Sequence, residues 1–380
     1  MKTAVWASRL PWLIVVIAAL LVILGLVGID RCDVFSGTGG RFLRQQLIFS
    51  ALALLTMLAV SIPNYRILCR WSYAAFVGSI VLLIAVYFFP PVNNARRWIR
   101  FGPIGFQPSE FAKVAFVLAM ARYLMYRENY RRLRGLALPF GLTLLPVLLI
   151  LREPDLGTAL VFLPVLFLML FTAGARWRDL ARLAMLGLVA IPLLWTHMSR
   201  EQKSRVTALF EQTVPGDRPS DDAYHLYQAK QMLALGGVWG SLVIGQPVDD
   251  PAVYCLPEAR GDFIFCVLGE RLGMLGIASV LGLFALLAWR GLLIATATRE
   301  PFGRLLAAGL VGLIAVQVLI NTGMTVGLLP ITGLSLPLVS YGGSGLVAHG
   351  VILGLLLNVG LRPGYEVTNE PFRYVAGGER

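Results

Sequence analysis

Asp262 stands in the stretch LPEARGDFIFCVLGER, residues 256–271, where a long polar segment turns back into an apolar run. A carboxylate at such a boundary loses solvation. That raises its proton affinity, which suits a general base. The competing reading is that Asp262 caps the helix beginning after it, a position where Asp is favoured. Arg260, two residues earlier, is expected to oppose the rise. Glu110 and Lys113 form a second constellation. Three apart at the start of an apolar run, they share one helix face and can pair, and a paired charge facing a bundle interior is tolerable where a lone one is not. The alternative is an ion pair at a helix end with no chemistry. Arg96, Arg97 and Arg100 bracket Trp98. Their guanidinium forks could clamp a diphosphate, or simply snorkel to an interface. Arg152, Glu153 and Asp155 crowd the turn REPDLG, although Pro154, Asp155 and Gly157 would serve a turn for geometry alone.

A last stretch, NTGMTVGLLPITGLSLPLVSYGGSGL from Asn321, is apolar yet broken by Pro330, Pro337 and several glycines. Non-helical backbone at membrane depth must be buried by protein or line a watery cavity. Ser340, Tyr341 and Ser344 could line such a cavity.

The elements that position these residues follow from composition. The chain is 57% hydrophobic and 14% charged, with mean hydropathy +0.73. A soluble domain cannot hide that much apolar surface, so the solvent is largely lipid. The formal charge of +12 fits Lys and Arg in loops facing anionic headgroups. No basic helix interleaved with aromatics lies outside the apolar runs, which argues against nucleic acid. Cys32, Cys69, Cys255 and Cys266 form no CxxC pair, so a metal or redox site has no support. The first apolar stretch is too long for a signal-peptide core and lacks a cleavage site.

Ten apolar runs can be marked as spans, near 11–29, 46–62, 71–90, 108–126, 136–151, 157–174, 179–198, 263–289, 305–323 and 346–361. The predicted class is an all-α polytopic membrane bundle, one domain over 1–380. Its long loop, about 199–261, joins the seventh and eighth spans and is too apolar to float free in water. With the N-terminus inside, the inside segments hold Lys2, Arg9, Arg66, Arg70, the arginines of 122–134 and 176–182, and those after the eighth and tenth spans. The short outside loops hold fewer, among them Arg31, Arg41, Arg44 and Arg152. The asymmetry favours both termini in the cytoplasm. It also places Cys69 on the cytoplasmic side and Cys32 and Cys255 outside. The segments 94–113, 152–157, 256–271 and 321–345 then meet at one membrane face. Their convergence predicts an outward-facing polar cavity, which fits an enzyme on a lipid-linked substrate, a transporter or a receptor-like binding protein.

FQPSEFAK, EPDLGTAL, LPEARGDFIF and GLSLPLVSYGGSGL, in that order, resemble the SEDS family (shape, elongation, division and sporulation), which includes RodA-, FtsW- and SpoVE-like proteins. The resemblance spans nearly the whole chain. It implies a ten-helix peptidoglycan glycosyltransferase of the cytoplasmic membrane. Such an enzyme polymerises lipid II into a growing glycan strand at the outer face, with inversion, in elongation or division, beside a class B penicillin-binding protein acting as transpeptidase. It implies that Asp262 is catalytic and that Glu110 and Lys113 are the family's essential pair. Asp155 matches the family's aspartate in the fifth-to-sixth turn. Arg97, Arg100, Lys113 and Ser340 are the remaining expected substrate contacts. No cofactor is fixed by these motifs; a divalent cation such as Mg or Mn is an alternative source of positive charge. Two positions depart from the family. Arg260 and Gly261 stand where a His-Thr pair is common, and GGVWGSLVIG carries Ser241 where Lys or Gln is common. The rival readings are a lipid II flippase and a scaffold that only recruits a transpeptidase.

Overall fold

The computed structural model describes residues 11–63, 65–91, 96–101, 104–126, 133–211, 221–245, 256–362 and 364. Each predicted span is a long helix: α1 (Trp12–Ser36), α2 (Arg41–Ser61), α3 (Tyr65–Ala85), α4 (Pro108–Tyr126), α5 (Ala137–Arg152), α6 (Leu156–Ala173), α7 (Trp177–His197), then, after the long loop, α11 (Ile264–Ala297), α12 (Pro301–Thr325) and α13 (Gly343–Leu361). In lipid every backbone polar group must be satisfied within its own segment, which is why these runs fold as helices. Eight helices among the described residues are long and apolar enough to cross a membrane. The chain is a multi-pass membrane protein. α4 carries Glu110, Lys113 and Arg122, yet it is buried along nearly its whole length. It packs with α12 and α13 at the centre of the bundle, so its charges meet protein rather than lipid.

The long loop holds α8 (Arg200–Glu211), α9 (Asp221–Gly236) and the one-turn α10 (Ser241–Ile244). α9 lies on α11. A Cβ on Gly236 would collide with the carbonyl of Gly269, so glycine is what permits the approach. The structure also adds a small hairpin of β1 (Ile99–Phe101) and β2 (Ile104–Phe106), antiparallel with Ile99 opposite Phe106. Ser344 at the start of α13 anchors it: its hydroxyl donates to the Gly105 carbonyl (2.9 Å) and accepts from the Gln107 amide (3.1 Å).

Two expectations are corrected. The first span runs on to Ser36, so Arg31 is a buried helix residue rather than a loop charge. Its partner Glu270, 2.7 Å away, lets it stay there. The eighth span is longer than expected and is interrupted at Gly273, whose φ of 69° lies outside the helical range. Cys32 and Cys69 are both buried free thiols; Cys255 lies outside the described residues.

A cavity built around Asp262

Asp262 is set by its neighbours' backbone. The amides of Gly261 and Asp262 both donate to the Glu258 carbonyl, at 3.0 and 3.1 Å. The turn demands a left-handed Glu258, with φ 52°, a strained conformation for a residue with a side chain. Asn321 on α12 donates to the Asp262 carbonyl at 2.9 Å and to the Leu334 carbonyl at 2.6 Å. The tail of the irregular segment, 336–341, holds the other side: Ser340 Oγ donates to the Gly261 carbonyl (2.6 Å), and the Tyr341 amide to the Arg260 carbonyl (2.8 Å). The carboxylate itself caps nothing. α11 begins after Phe263 with no side-chain cap, which removes the capping reading.

The side chain faces a cavity of about 1250 Å³ lined by all four convergent segments, including Arg97, Arg100, Gln107, Glu110, Asp155, Glu258, Asp262, Ser340 and His349. Burial pushes the Asp262 carboxyl up to about 7. The Glu258 charge adds to the rise, while Arg205, and behind it Arg97, pull it back. Arg205 belongs to α8 and was not foreseen. A Cβ on Gly333 would lie 3.5 Å from Asp262 Oδ2 and 3.8 Å from Arg205 Nη1, so carboxylate and guanidinium flank the same glycine. Arg260, expected to oppose the rise, does not face Asp262. Its guanidinium lies 3.8 Å over the Phe42 ring and donates to Ser36 Oγ at 2.8 Å.

Glu110 and Lys113 are both buried, with Nζ 2.8 Å from Oε1. Glu110 Oε2 has no hydrogen-bond partner. It sits beside Gly345, whose carbonyl holds His349 Nδ1 at 2.6 Å. Asp155 is the N-cap of α6: Oδ1 accepts from the Thr158 amide (3.2 Å) and Oδ2 from the Thr158 hydroxyl (2.9 Å). Its position in the cavity wall therefore coincides with a structural duty. Arg97 lines the cavity but also donates to the carbonyls of Glu153 and Pro154, which orients its fork from behind. Ser340 has its hydroxyl committed on both sides, accepting from the Leu336 amide at 2.7 Å while donating to Gly261. Arg100 is exposed at the rim. Among the described residues no three His, Cys, Asp or Glu side chains stand together as a metal cluster; the guanidinium groups of Arg97, Arg100, Arg205 and Arg260 line the cavity, whereas Lys113, expected to contact substrate, is buried against Glu110 and does not line it.

The family described as "Cell cycle protein", covering FtsW, RodA and SpoVE, matches residues 9–362. This chain belongs to the FtsW/RodA/SpoVE family. Among its relatives, the peptidoglycan glycosyltransferase MrdB of Escherichia coli K12 is 34% identical over 345 residues, covering 90% of this chain and 92% of that protein. Stage V sporulation protein E of Bacillus subtilis is 33% identical over 360 residues, covering 91% and 96%. The solved rod shape determining protein RodA of Thermus thermophilus superposes with a TM-score of 0.69 at 31% identity, covering 94% of this chain and 98% of that one. A structure described as showing coordination of polymerization and crosslinking by a peptidoglycan synthase complex gives 0.78 at 32% identity, covering 93% and 98%. Within the FtsW/RodA/SpoVE frame, the functional neighbours that sequence reasoning missed are Arg205, Asn321 and His349. Only Asn321 and His349 had a sequence signal, each being a polar residue inside an apolar run.

Proposed function

We infer that this chain is a peptidoglycan glycosyltransferase that polymerises lipid II into glycan strands at the outer face of the cytoplasmic membrane, in cell elongation or division. The observation that carries the reading is the Asp262 carboxylate, half-buried, capping no helix and open to a large cavity that also holds arginines. An acceptor sugar hydroxyl attacks the donor sugar carbon that bears the polyprenyl diphosphate. The new C–O bond forms as the bond to the diphosphate breaks, Asp262 takes the hydroxyl proton, and the diphosphate leaves with the bonding electrons. A carboxyl held near 7 is matched to a base working at neutral pH. Arg100 and Arg205, with Arg97, offer positive charge to the departing diphosphate in a poorly solvated site, where it counts for more than in water, while Lys113 acts only through its pairing with Glu110. Ser340 serves this reaction through the backbone of Gly261 rather than by touching substrate.

The chain works as one transmembrane unit, the 199–261 loop included, with both termini in the cytoplasm. The peptidoglycan synthase complex among the similar structures supports a membrane transpeptidase, of the class B penicillin-binding type, as its partner. The test is polymerisation of lipid II by the purified protein. Glycan chains are expected. Movement of lipid II across liposomes without chains would replace this reading with a flippase, and neither outcome would leave a recruiting scaffold.

A further inference from the structure

Asp262 is carried on a short arm. α11 starts two residues after it, at Ile264, and Gly273 interrupts the helix with φ 69° and ψ −166°. Residues 264–272 are therefore not held by continuity with the long apolar part of α11. They are held from the side. Glu270, near the far end of the arm, is wholly buried. Its carboxylate accepts twice from Arg31 of α1, Nε to Oε2 at 3.1 Å and Nη2 to Oε1 at 2.7 Å. The same Nη2 donates to the hydroxyl of Ser241, the first residue of α10, at 3.1 Å. The guanidinium rests 4.2 Å over the Phe35 ring. None of Arg31, Ser241 and Glu270 lines the cavity, so contact with substrate is not their task. Nor is stability an adequate reason for them, because apolar side chains of similar volume commonly stabilise a core as well as a buried ion pair does. What an ion pair with a planar fork adds is direction. One guanidinium fixes two elements at once, the arm and α10 of the long loop.

We propose that Arg31, Glu270 and Ser241 form a positioning latch that ties the Asp262-bearing arm and α10 of the 199–261 loop to α1, and so fixes where the Asp262 carboxylate stands in the cavity. By helical rise, Glu270 lies roughly 12 Å along the arm from Asp262, and a small rotation about that anchor displaces the carboxylate. A misplacement of about 1 Å can cost on the order of a hundredfold in rate. The proposal rests on the reading of Asp262 as the base.

Two readouts separate the latch from that reading. In purified, folded protein, Glu270→Gln and Arg31→Lys are expected to lower the rate of lipid II polymerisation by about ten- to a hundredfold with KM within about twofold. The exchanged pair Arg31→Glu with Glu270→Arg should recover at least part of that loss. Independently of activity, the thiol introduced by Asp262→Cys is expected to react severalfold faster with a soluble maleimide when Glu270→Gln is added. Unchanged thiol reactivity in thermally stable variants would overturn the latch even if Asp262 is the base. Altered reactivity would uphold it even if Asp262→Asn proved active. Should Glu270→Gln not fold, Ser241→Ala takes its place in both measurements, since it removes one hydrogen bond and strands no charge; no change in either would overturn the proposal.

Discussion

Ser340 donates its hydroxyl to the carbonyl of Gly261 at 2.6 Å, one residue before Asp262. With Asn321 on the Asp262 carbonyl, it makes the irregular 326–342 segment a template for the turn that carries Asp262. Ser340→Ala orphans a buried carbonyl and the Leu336 amide, costing about 1–3 kcal/mol. The expected result is a folded protein with polymerisation reduced roughly tenfold and KM for lipid II nearly unchanged. Lost lipid II binding with intact kcat would instead make Ser340 a substrate contact.

Glu110 and Lys113 are expected to be coupled. Either single change, Glu110→Gln or Lys113→Met, leaves a charge or a polar group stranded in the core, which typically costs a few kcal/mol. Both singles should lose polymerisation and melt earlier. The double variant should regain much of the melting temperature but not the activity, because Glu110 Oε2, unpartnered beside Gly345, would no longer offer its charge to the cavity. Recovered activity in the double variant would mean the pair serves folding alone.

Glu153 gives a pH signature in stability. It is fully buried, both carboxylate oxygens lack partners, and burial together with the Asp155 charge pushes it up to about 8. Between its unfolded value near 4.5 and 8 the folded chain holds the extra proton, so stability is full below that window and falls as pH rises through it. Melting in detergent should drop from pH 5 to pH 8, by a few kcal/mol in stability at most. Glu153→Gln should flatten the slope. An unchanged slope would assign the pH dependence to other groups.

Much of this was readable in the chain because the bilayer imposes a length. Ten apolar runs became ten long helices, and even the proline-bearing stretch with Pro139 and Pro146 folded as α5. The four polar segments met in one cavity for the same reason: polar groups within a bundle gather where they can share solvent. Pairings across sequence distance were not readable. Arg31 and Glu270 are 239 residues apart, and nothing in either segment names the other. Arg260 could not be aimed from sequence, since Ser36 at the end of α1 and Phe42 at the start of α2 are more than 200 residues away. Asp155 showed the opposite limit. Its turn looked overcharged, yet capping α6 already uses both of its oxygens. The hairpin at 99–106 is three residues per strand, too short for alternation to announce it.

Sidedness can be tested away from the native thiols, since Cys32 and Cys69 are buried. Arg41, where α2 begins, and Arg178, at the start of α7, are both exposed and lie at opposite ends of the bundle by helix order. In a background without native cysteines, Arg41→Cys should react with an impermeant maleimide on intact cells. Arg178→Cys should react only after permeabilisation. The reverse pattern would invert the topology and put the cavity in the cytoplasm.

Asp262→Asn is the sharpest test of the chemistry. The carboxylate caps no helix, and its held position comes from its main chain, so the amide should fold and melt as the parent does. It keeps the shape but cannot accept the hydroxyl proton. Polymerisation should fall by roughly two to four orders of magnitude, with lipid II binding kept within a few-fold. The parent should carry its own signature. A base must be ionised, so with a carboxyl at about 7 the rate should rise with pH through that value and fall about tenfold per unit below it. The charges facing Asp262 come from four elements: Glu258 on its own turn, Arg205 on α8, Asp155 at α6 and Arg97 before β1. Arg205→Gln removes a cation that favours the ionised form, so it should move the limb to higher pH. Glu258→Gln should move it to lower pH. Activity of Asp262→Asn within a few-fold of the parent, or a limb indifferent to both neighbours, would retire Asp262 as the base.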